Sequence, residues 1–417
     1  MSIKYIDLCC GIGGFRVGIN NLQREFPHVE FECVFSADIK DDAIKTYNLN
    51  FSESLTKTDI YMIEELPEFD LLCAGFPCQP FSSAGAKKGL DDKRGGMIFK
   101  IVELCKKYQP RYFMLENVSN LITLEKGTII QRIVSMFNEI GYNVAYKKLN
   151  SCDFSVPQSR ERVYIVGDLL QVPAMDVKHC ANKVFLKDAI DNEALYTDIP
   201  ESLCAKLLSL NQQRSIYGMR LQDKRGGDNN IHSWDIGYNG VIDNEEKRLM
   251  TAIMTERRKK HWAEKKQIKW MDGMPLTLSE IQTFFQSDNL QDMLADLVSK
   301  GYLKLEKCKD VVDGKRQYKD DSEEGYNICK GKLSFPISKV LDPSELCPTL
   351  TATDSCKLVV MIDNKHIRKL TDIELKRICG FPDDFRLPEG VNKYDLFGNM
   401  VTPPVITEVL KSVLCLQ

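Results

Sequence analysis

Tyr5-Ile6-Asp7-Leu8-Cys9-Cys10-Gly11-Ile12-Gly13-Gly14-Phe15-Arg16 decides the fold. An apolar strand runs directly into a glycine turn that opens a helix, so a ligand can approach the backbone at the carboxyl end of the first strand. Working outward, strand-like runs at Lys4–Leu8, Glu32–Ala37, Asp70–Ala74, Tyr112–Leu115 and Arg162–Val166 alternate with helical stretches, among them Met97–Lys107 and Thr128–Ile140. That alternation predicts a doubly wound α/β sheet. A dinucleotide fingerprint would need glycine at position 16, where Arg16 stands, so a phosphate-binding turn is excluded. Asp38 lies 24 positions after Gly14, at the end of the second strand, where such folds bind ribose hydroxyls. Asp59 ends the next segment, in place to accept an adenine amino group. A nucleoside without phosphates suits this arrangement, although both aspartates also suit helix caps.

The buried run Phe69-Asp70-Leu71-Leu72-Cys73-Ala74 leads into Gly75-Phe76-Pro77-Cys78-Gln79-Pro80-Phe81-Ser82. A cysteine flanked by prolines at the end of a central strand is held on a stiff loop at the mouth of the sheet. The following strand ends in Glu116-Asn117-Val118, which predicts Cys78 and Glu116 side by side above adjacent strands.

Five further segments follow in order: Gln158-Ser159-Arg160-Glu161-Arg162, Thr349-Leu350-Thr351-Ala352, Arg368 to Thr371, Gly380-Phe381-Pro382 and Phe397-Gly398-Asn399. With the cofactor loop and the Pro77-Cys78-Gln79 and Glu116-Asn117-Val118 segments, this chain resembles the DNA (cytosine-5) methyltransferases of the bacterial modification type. The resemblance implies a Rossmann-like S-adenosylmethionine-dependent domain with a smaller target-recognition domain. It also implies transfer of a methyl group to carbon 5 of a flipped cytosine in double-stranded DNA. Cys78 would attack carbon 6, and Glu116 would hydrogen-bond the ring at N3 as an acid, which requires a raised pKa. Arg162 would lie near the base's O2 and Arg160 near backbone phosphate, both being candidates for easing deprotonation of Cys78.

Carried over position by position, cofactor contacts fall on Asp7, Gly11, Gly13, Phe15, Asp38, Ile39, Asp59, Ile60, Pro77, Met97, Asn399 and Val401. Contacts to DNA fall on Gln79, Ser82, Gln158 and Thr349. One departure is Met400, where the family commonly has a serine hydroxyl to hydrogen-bond the cofactor's carboxylate. Methylation of RNA cytosine and a catalytically silent DNA-binding relative are the competing readings. The long stretch between the matched segments favours DNA, and the intact Cys78, Glu116 and Arg162 favour an enzyme.

At 417 residues the chain suits one large domain with an insert, and 43% hydrophobic against 28% charged residues describes a folded protein. No apolar run approaches the roughly 18 residues of a membrane span, and the opening MSIKYIDLCCGIGG lacks a secretory signal, so a cytoplasmic location is expected; a monomer is expected as well, without a sequence feature that fixes it. The 15 cysteines show no metal-ligand spacing, and no metal site is expected. Expected boundaries are 1–170 for the catalytic and cofactor-binding domain, 171–365 for target recognition and 366–417 for a C-terminal segment. A capping box at Thr371 to Glu374 starts one helix there, and Thr402-Pro403 starts a last helix that returns to the catalytic domain.

Within the middle region, helices are predicted at Leu276–Phe285 and Asn289–Lys300, then a strand at Tyr302–Glu306 and a charged loop at Asp310–Gly325. The order resembles a winged helix-turn-helix at 275–330, which would place a helix in the major groove, and it equally fits a helical packing element that supports the recognition loops without touching DNA. From Glu245 to Lys269 there are nine Lys/Arg against four Asp/Glu, and Arg257, Arg258, Lys259 and Lys260 are candidate phosphate contacts. A cognate endonuclease acting separately is compatible with this reading.

Overall fold

The computed structural model describes residues 2–52, 54–76, 96–180, 182–223, 226–312, 314–319, 321–329 and 335–416. They form two compact units, the first built from Met1–Asp191, Pro343–Ser355 and Leu370–Gln417, the second from Asn192–Asp342 and Cys356–Lys369.

In the first unit the elements are β1 (Ser2–Leu8), α1 (Gly14–Glu25), β2 (Glu30–Ala37), α2 (Asp41–Asn50), β3 (Leu71–Gly75), α3 (Gly96–Tyr108), β4 (Tyr112–Val118), α4 (Thr128–Asn138), β5 (Asn143–Asn150), β6 (Gln158–Ser159) and β7 (Glu161–Asp168). One six-stranded sheet has the order β2-β1-β3-β4-β7-β5. Its first four strands are parallel, and β7 runs antiparallel to both neighbours. Central strand β3, with Leu71 to Ala74 all buried, carries no charge because helices cover both faces. On one face Ile98, Ile101 and Leu104 of α3 and Ile130, Ile133 and Phe137 of α4 pack on Leu72, Phe113 and Ile165. On the other, Phe15, Ile19 and Leu22 of α1 share a core with Val405, Ile406 and Val409 of the last helix, Pro403–Val413.

That last helix closes the fold. Thr407 Oγ1 donates to the carbonyl of Gly18 at 2.9 Å. A Cβ at Gly18 would stand 2.7 Å from both Ile406 Cβ and the Pro403 carbonyl, so the helices meet where only glycine fits. Thr371 and Glu374 form the expected capping box on helix Asp372–Cys379, which Gly380 ends at φ 76. β6 pairs in parallel with Cys347–Pro348 as a separate two-stranded sheet, tying the late chain to the segment between β5 and β7.

The second unit contains a five-stranded sheet of His366–Lys369, Leu358–Ile362, Lys339–Val340, Arg220–Leu221 and Asn230–Ile231 in that order. A separate apolar core joins helix Asn244–Glu256, helix Leu278–Gln282 and helix Leu290–Ser299 to the antiparallel strands Leu303–Glu306 and Gly325–Ile328. Leu276 bridges Tyr326 alongside. The two middle helices are shorter than the periodicity predicts, because Thr277 caps the first at its own box and Asn289 precedes the second. The segment expected to be a charged loop instead holds a hairpin, Lys309–Val312 paired with Lys315–Tyr318. No helix among the described residues is long and apolar enough to cross a membrane.

Candidate active site

The glycine turn after β1 is left-handed at Cys9 (φ 55), Gly11 (φ 55) and Gly13 (φ 86). Gly14 then starts α1 so close to the late chain that a Cβ would lie 2.3 Å from the Val401 carbonyl. At Gly11 the side-chain direction is open, with nothing within 4 Å. Asp38, at the end of β2, fixes this turn: Oδ2 accepts from the Gly11 amide and Oδ1 from the Lys40 amide, both at 2.8 Å. Beside it Ile39 is 56% exposed, an uncovered apolar surface at the strand ends. Asp59 Oδ1 accepts from the Tyr61 amide at 3.0 Å, and Ile60 is buried.

Phe15 is a core side chain packed with Val401, and Met97, half-buried on α3, receives a hydrogen bond from Cys9 Sγ at 3.3 Å. Asn399 Nδ2 donates to the Asp395 backbone and side chain. Asp7 is fully buried, and neither carboxylate oxygen has a hydrogen-bond partner among the described residues. Burial pushes its pKa well up against the opposing charge of Arg16. An open glycine, a carboxylate pinned by backbone amides and a bare isoleucine suit a nucleoside in size and polarity, so the residues present fit the adenosyl part of the expected cofactor.

Register places the chemical end of the site. Gly75, the last residue of β3, pairs with Glu116 of β4, which pairs on its other side with Tyr164 of β7. Glu116 is 7% exposed, and its Oε1 stands 3.0 Å from Arg162 Nε. Burial raises the Glu116 pKa, while the Arg162 and Arg160 charges pull it down; burial prevails. Next to it Asn117 Nδ2 donates to the Phe76 carbonyl at 2.9 Å, fixing the chain where it leaves β3. The sequence alone does not assign Asn117 this role, although an amide beside the glutamate at a buried strand end is a signal for it. Pro77, Cys78, Gln79 and Ser82 lie outside the described residues.

Four residues expected to contact DNA have their polar groups engaged within the protein. Arg160 is 3% exposed and donates to the carbonyls of Leu350 (3.1 Å), Gly398 (3.2 Å) and Met400 (2.7 Å), so it clamps two segments of the late chain, and its charge is spent inside the protein. Gln158 is fully buried, with Nε2 directed to the Ile378 carbonyl. Arg257 is also fully buried, bonded through Nη1 to Asn327, because the helix end at Glu256 turns it into the core of the second unit. Arg258 is held bidentate by Asp272 at 2.5 and 2.9 Å. Thr349 is half-buried, its hydroxyl donating to the Ser159 carbonyl at 2.6 Å. Met400 is buried as well, and its carbonyl serves Arg160.

The sequence profile of the C-5 cytosine-specific DNA methylases matches residues 3–415. Type II methyltransferase M.NlaIV of Neisseria lactamica is 40% identical over 424 aligned residues, covering 99% of each chain. M.BanI of Aneurinibacillus aneurinilyticus is 37% identical over 99% of this chain and 95% of its own. Among solved structures, a protein described as a DNA modification methyltransferase encoded within a prophage of E. coli aligns with a TM-score of 0.54 at 20% identity, over 99% of both chains. That last likeness concerns the fold, an α/β methyltransferase sheet. Profile and relatives together span nearly the whole sequence, and the chain is a member of the C-5 cytosine-specific DNA methylase family.

Proposed function

We propose that this chain methylates carbon 5 of cytosine within a defined sequence of double-stranded DNA, with Cys78 as nucleophile, Glu116 as acid and S-adenosylmethionine as donor. The observation that carries the reading is the buried Glu116, ion-paired to Arg162 at 3.0 Å and set opposite the residue from which the Cys78 loop departs. Its raised pKa is the property the chemistry needs.

Carbon 5 of cytosine is a poor nucleophile until a thiolate adds at carbon 6. Cys78 supplies that sulfur, and the negative charge that appears on the ring is met at N3 by the protonated Glu116. Arg162 orients the Glu116 carboxyl and presents its own charge toward O2. Addition converts the ring to an enamine, nucleophilic at carbon 5. Once carbon 5 carries the methyl group, its proton passes to water, the carbon 6–sulfur bond breaks with the electron pair returning to Cys78, and aromaticity is restored. Gly11, Asp38, Ile39 and Asp59 hold the adenosyl group, and Asn399 and Val401 close the pocket from the late chain; bound there, S-adenosylmethionine supplies an electrophilic sulfonium methyl. The Type II relatives support a modification enzyme; we infer that it works as a cytoplasmic monomer, and a separately acting endonuclease is compatible with this reading.

A duplex carrying 5-fluorocytosine tests this directly, since fluorine blocks the final elimination. With S-adenosylmethionine present, wild-type protein forms a denaturation-resistant adduct and the Cys78→Ser protein forms none while still binding the cofactor. An adduct on a cytosine RNA hairpin and not on the duplex would move the assignment to RNA. Adduct formation by the serine variant would remove Cys78 from the mechanism. Bisulfite sequencing of DNA from expressing cells then reads out the target sequence.

A further inference from the structure

In the second unit, four helices (Asn244–Glu256, Lys260–Lys265, Leu278–Gln282 and Leu290–Ser299) precede a strand pair, with the hairpin Lys309–Val312/Lys315–Tyr318 inserted between its two strands. The order is that of a winged helix. In the usual helix-turn-helix mode, helix Leu290–Ser299 would enter the major groove. Its free face opposes this. Exposed or half-exposed there are Gln291, Asp292, Ala295, Asp296, Val298 and Ser299, with Asp296 ion-paired to Lys300 at the helix end. Such a face offers phosphate no free cation, and Asp292 opposes its approach.

The hairpin has the other sign. From Lys309 to Lys319 there are four cations against Asp310 and Asp313, and Asp310 is engaged by the amides of Lys269 and Val311. Lys315 and Arg316 are exposed and make no ion pair among the described residues. Lys309 Nζ stands 4.6 Å over the ring of Tyr318, which is itself 53% exposed. Asp310 joins the hairpin to Lys269, and Lys319 Nζ reaches the Lys266 carbonyl at 3.3 Å, so the stretch from Lys260 to Trp270 adjoins it. There Trp270 is 45% exposed with Lys260 Nζ 5.8 Å from its ring centroid. Unpaired cations interleaved with exposed aromatic rings form one surface suited to a sugar-phosphate backbone.

We propose that this hairpin, with Lys260 and Lys269 beside it, grips the phosphate backbone of the duplex being methylated, and that helix Leu290–Ser299 stays out of the groove. The inference rests on duplex DNA being the substrate. It moves the phosphate contact from Arg257 and Arg258, which are buried or paired, to neighbours that are free to make it. A contact of this kind is indifferent to base identity, so it adds affinity and orientation equally on every sequence.

The test is the combined variant Lys269→Ala, Lys309→Ala, Lys315→Ala and Arg316→Ala, assayed for duplex affinity across a salt series. Removing one cation from a phosphate lowers the slope of log affinity against log salt by about 0.9, so a drop of roughly 3 to 4 is expected. Affinity at about 0.1 M salt should fall at least tenfold, equally for target and non-target duplexes, with cofactor binding and melting temperature unchanged. Unchanged affinity and slope, in a protein whose wild type binds and methylates duplex, would overturn the proposal and leave the function standing. A loss confined to the target duplex would also overturn it, by making the hairpin a base reader. Asp292→Asn, on the helix face, should leave target affinity unchanged or slightly tighter; weakened target binding there would put the helix in the groove. A wild type that binds no duplex would overturn the functional reading and this inference with it.

Discussion

Replacing Glu116 by glutamine separates two properties of one carboxyl group. Turnover should fall severely while duplex binding persists, since an amide cannot deliver the same proton to N3. Stability should move the other way with pH. The folded pKa of Glu116 is raised by burial, so its contribution to stability is fully present below the ordinary carboxylate value of about 4.3 and is lost as pH rises through the raised value. Glutamine does not titrate. Urea midpoints measured from pH 5 to 8 should therefore shift in favour of the glutamine variant as pH rises; a shift in favour of wild type would contradict the raised pKa. At Arg160 the expectation is structural. Arg160→Ala leaves three buried carbonyls without their donor and should cost about 3 kcal/mol or more. Protein that remains folded should keep the wild-type salt slope for DNA, because no phosphate contact is removed. A reduced slope would restore Arg160 to the DNA interface.

Among elements, the meeting of the glycine turn with the late chain is the tightest constraint on the pocket. Gly14→Ala drives a methyl group to 2.3 Å from the Val401 carbonyl and should cost at least about 2 kcal/mol, with weakened cofactor binding measured by calorimetry. Normal affinity and stability would show that the 401 segment yields easily. Strands β1, β3, β4 and β7 are legible in the sequence because central strands buried on both faces read as unbroken apolar runs. β5 is not, since Asn143–Asn150 is an edge strand with Lys147 and Lys148 and little burial to pattern it. The hairpin at Lys309–Tyr318 is hidden for the same reason: it covers no core, so its charges read as a loop. Glu116 and Asp38 are marked by local motifs at strand ends. The true work of Arg160 is not legible, because its partners lie about 190 and 240 positions away and are backbone carbonyls that leave no mark on the sequence.

At the scale of the whole molecule, charge is distributed in patches that the net value of −3 conceals. The run Arg257 to Lys260 looks uniformly exposed in the sequence, yet its first member is a core residue and its second an ion-pair partner. Order along the chain is equally uninformative about assembly, since the first unit is composed of three separated segments. Ending the chain after Thr402 removes Val405, Ile406, Val409 and Leu410 from the core they share with α1. The shortened protein should lose cooperative unfolding of the first unit and precipitate on expression. A soluble, cofactor-binding product would show that the last helix is dispensable.

The pairing of α1 with the final helix also sets a clock on synthesis. Roughly 380 residues separate the two, and at about 5–20 residues per second the ribosome needs about 20–80 seconds to deliver the second after the first has emerged. Throughout that interval Ile19 and Leu22 lack the side chains that cover them in the finished protein, a patch that invites chaperones and proteases. Nor can Val401 seal the glycine turn until then. Fragments from interrupted translation are thus expected to be sticky and short-lived, with the glycine turn left open.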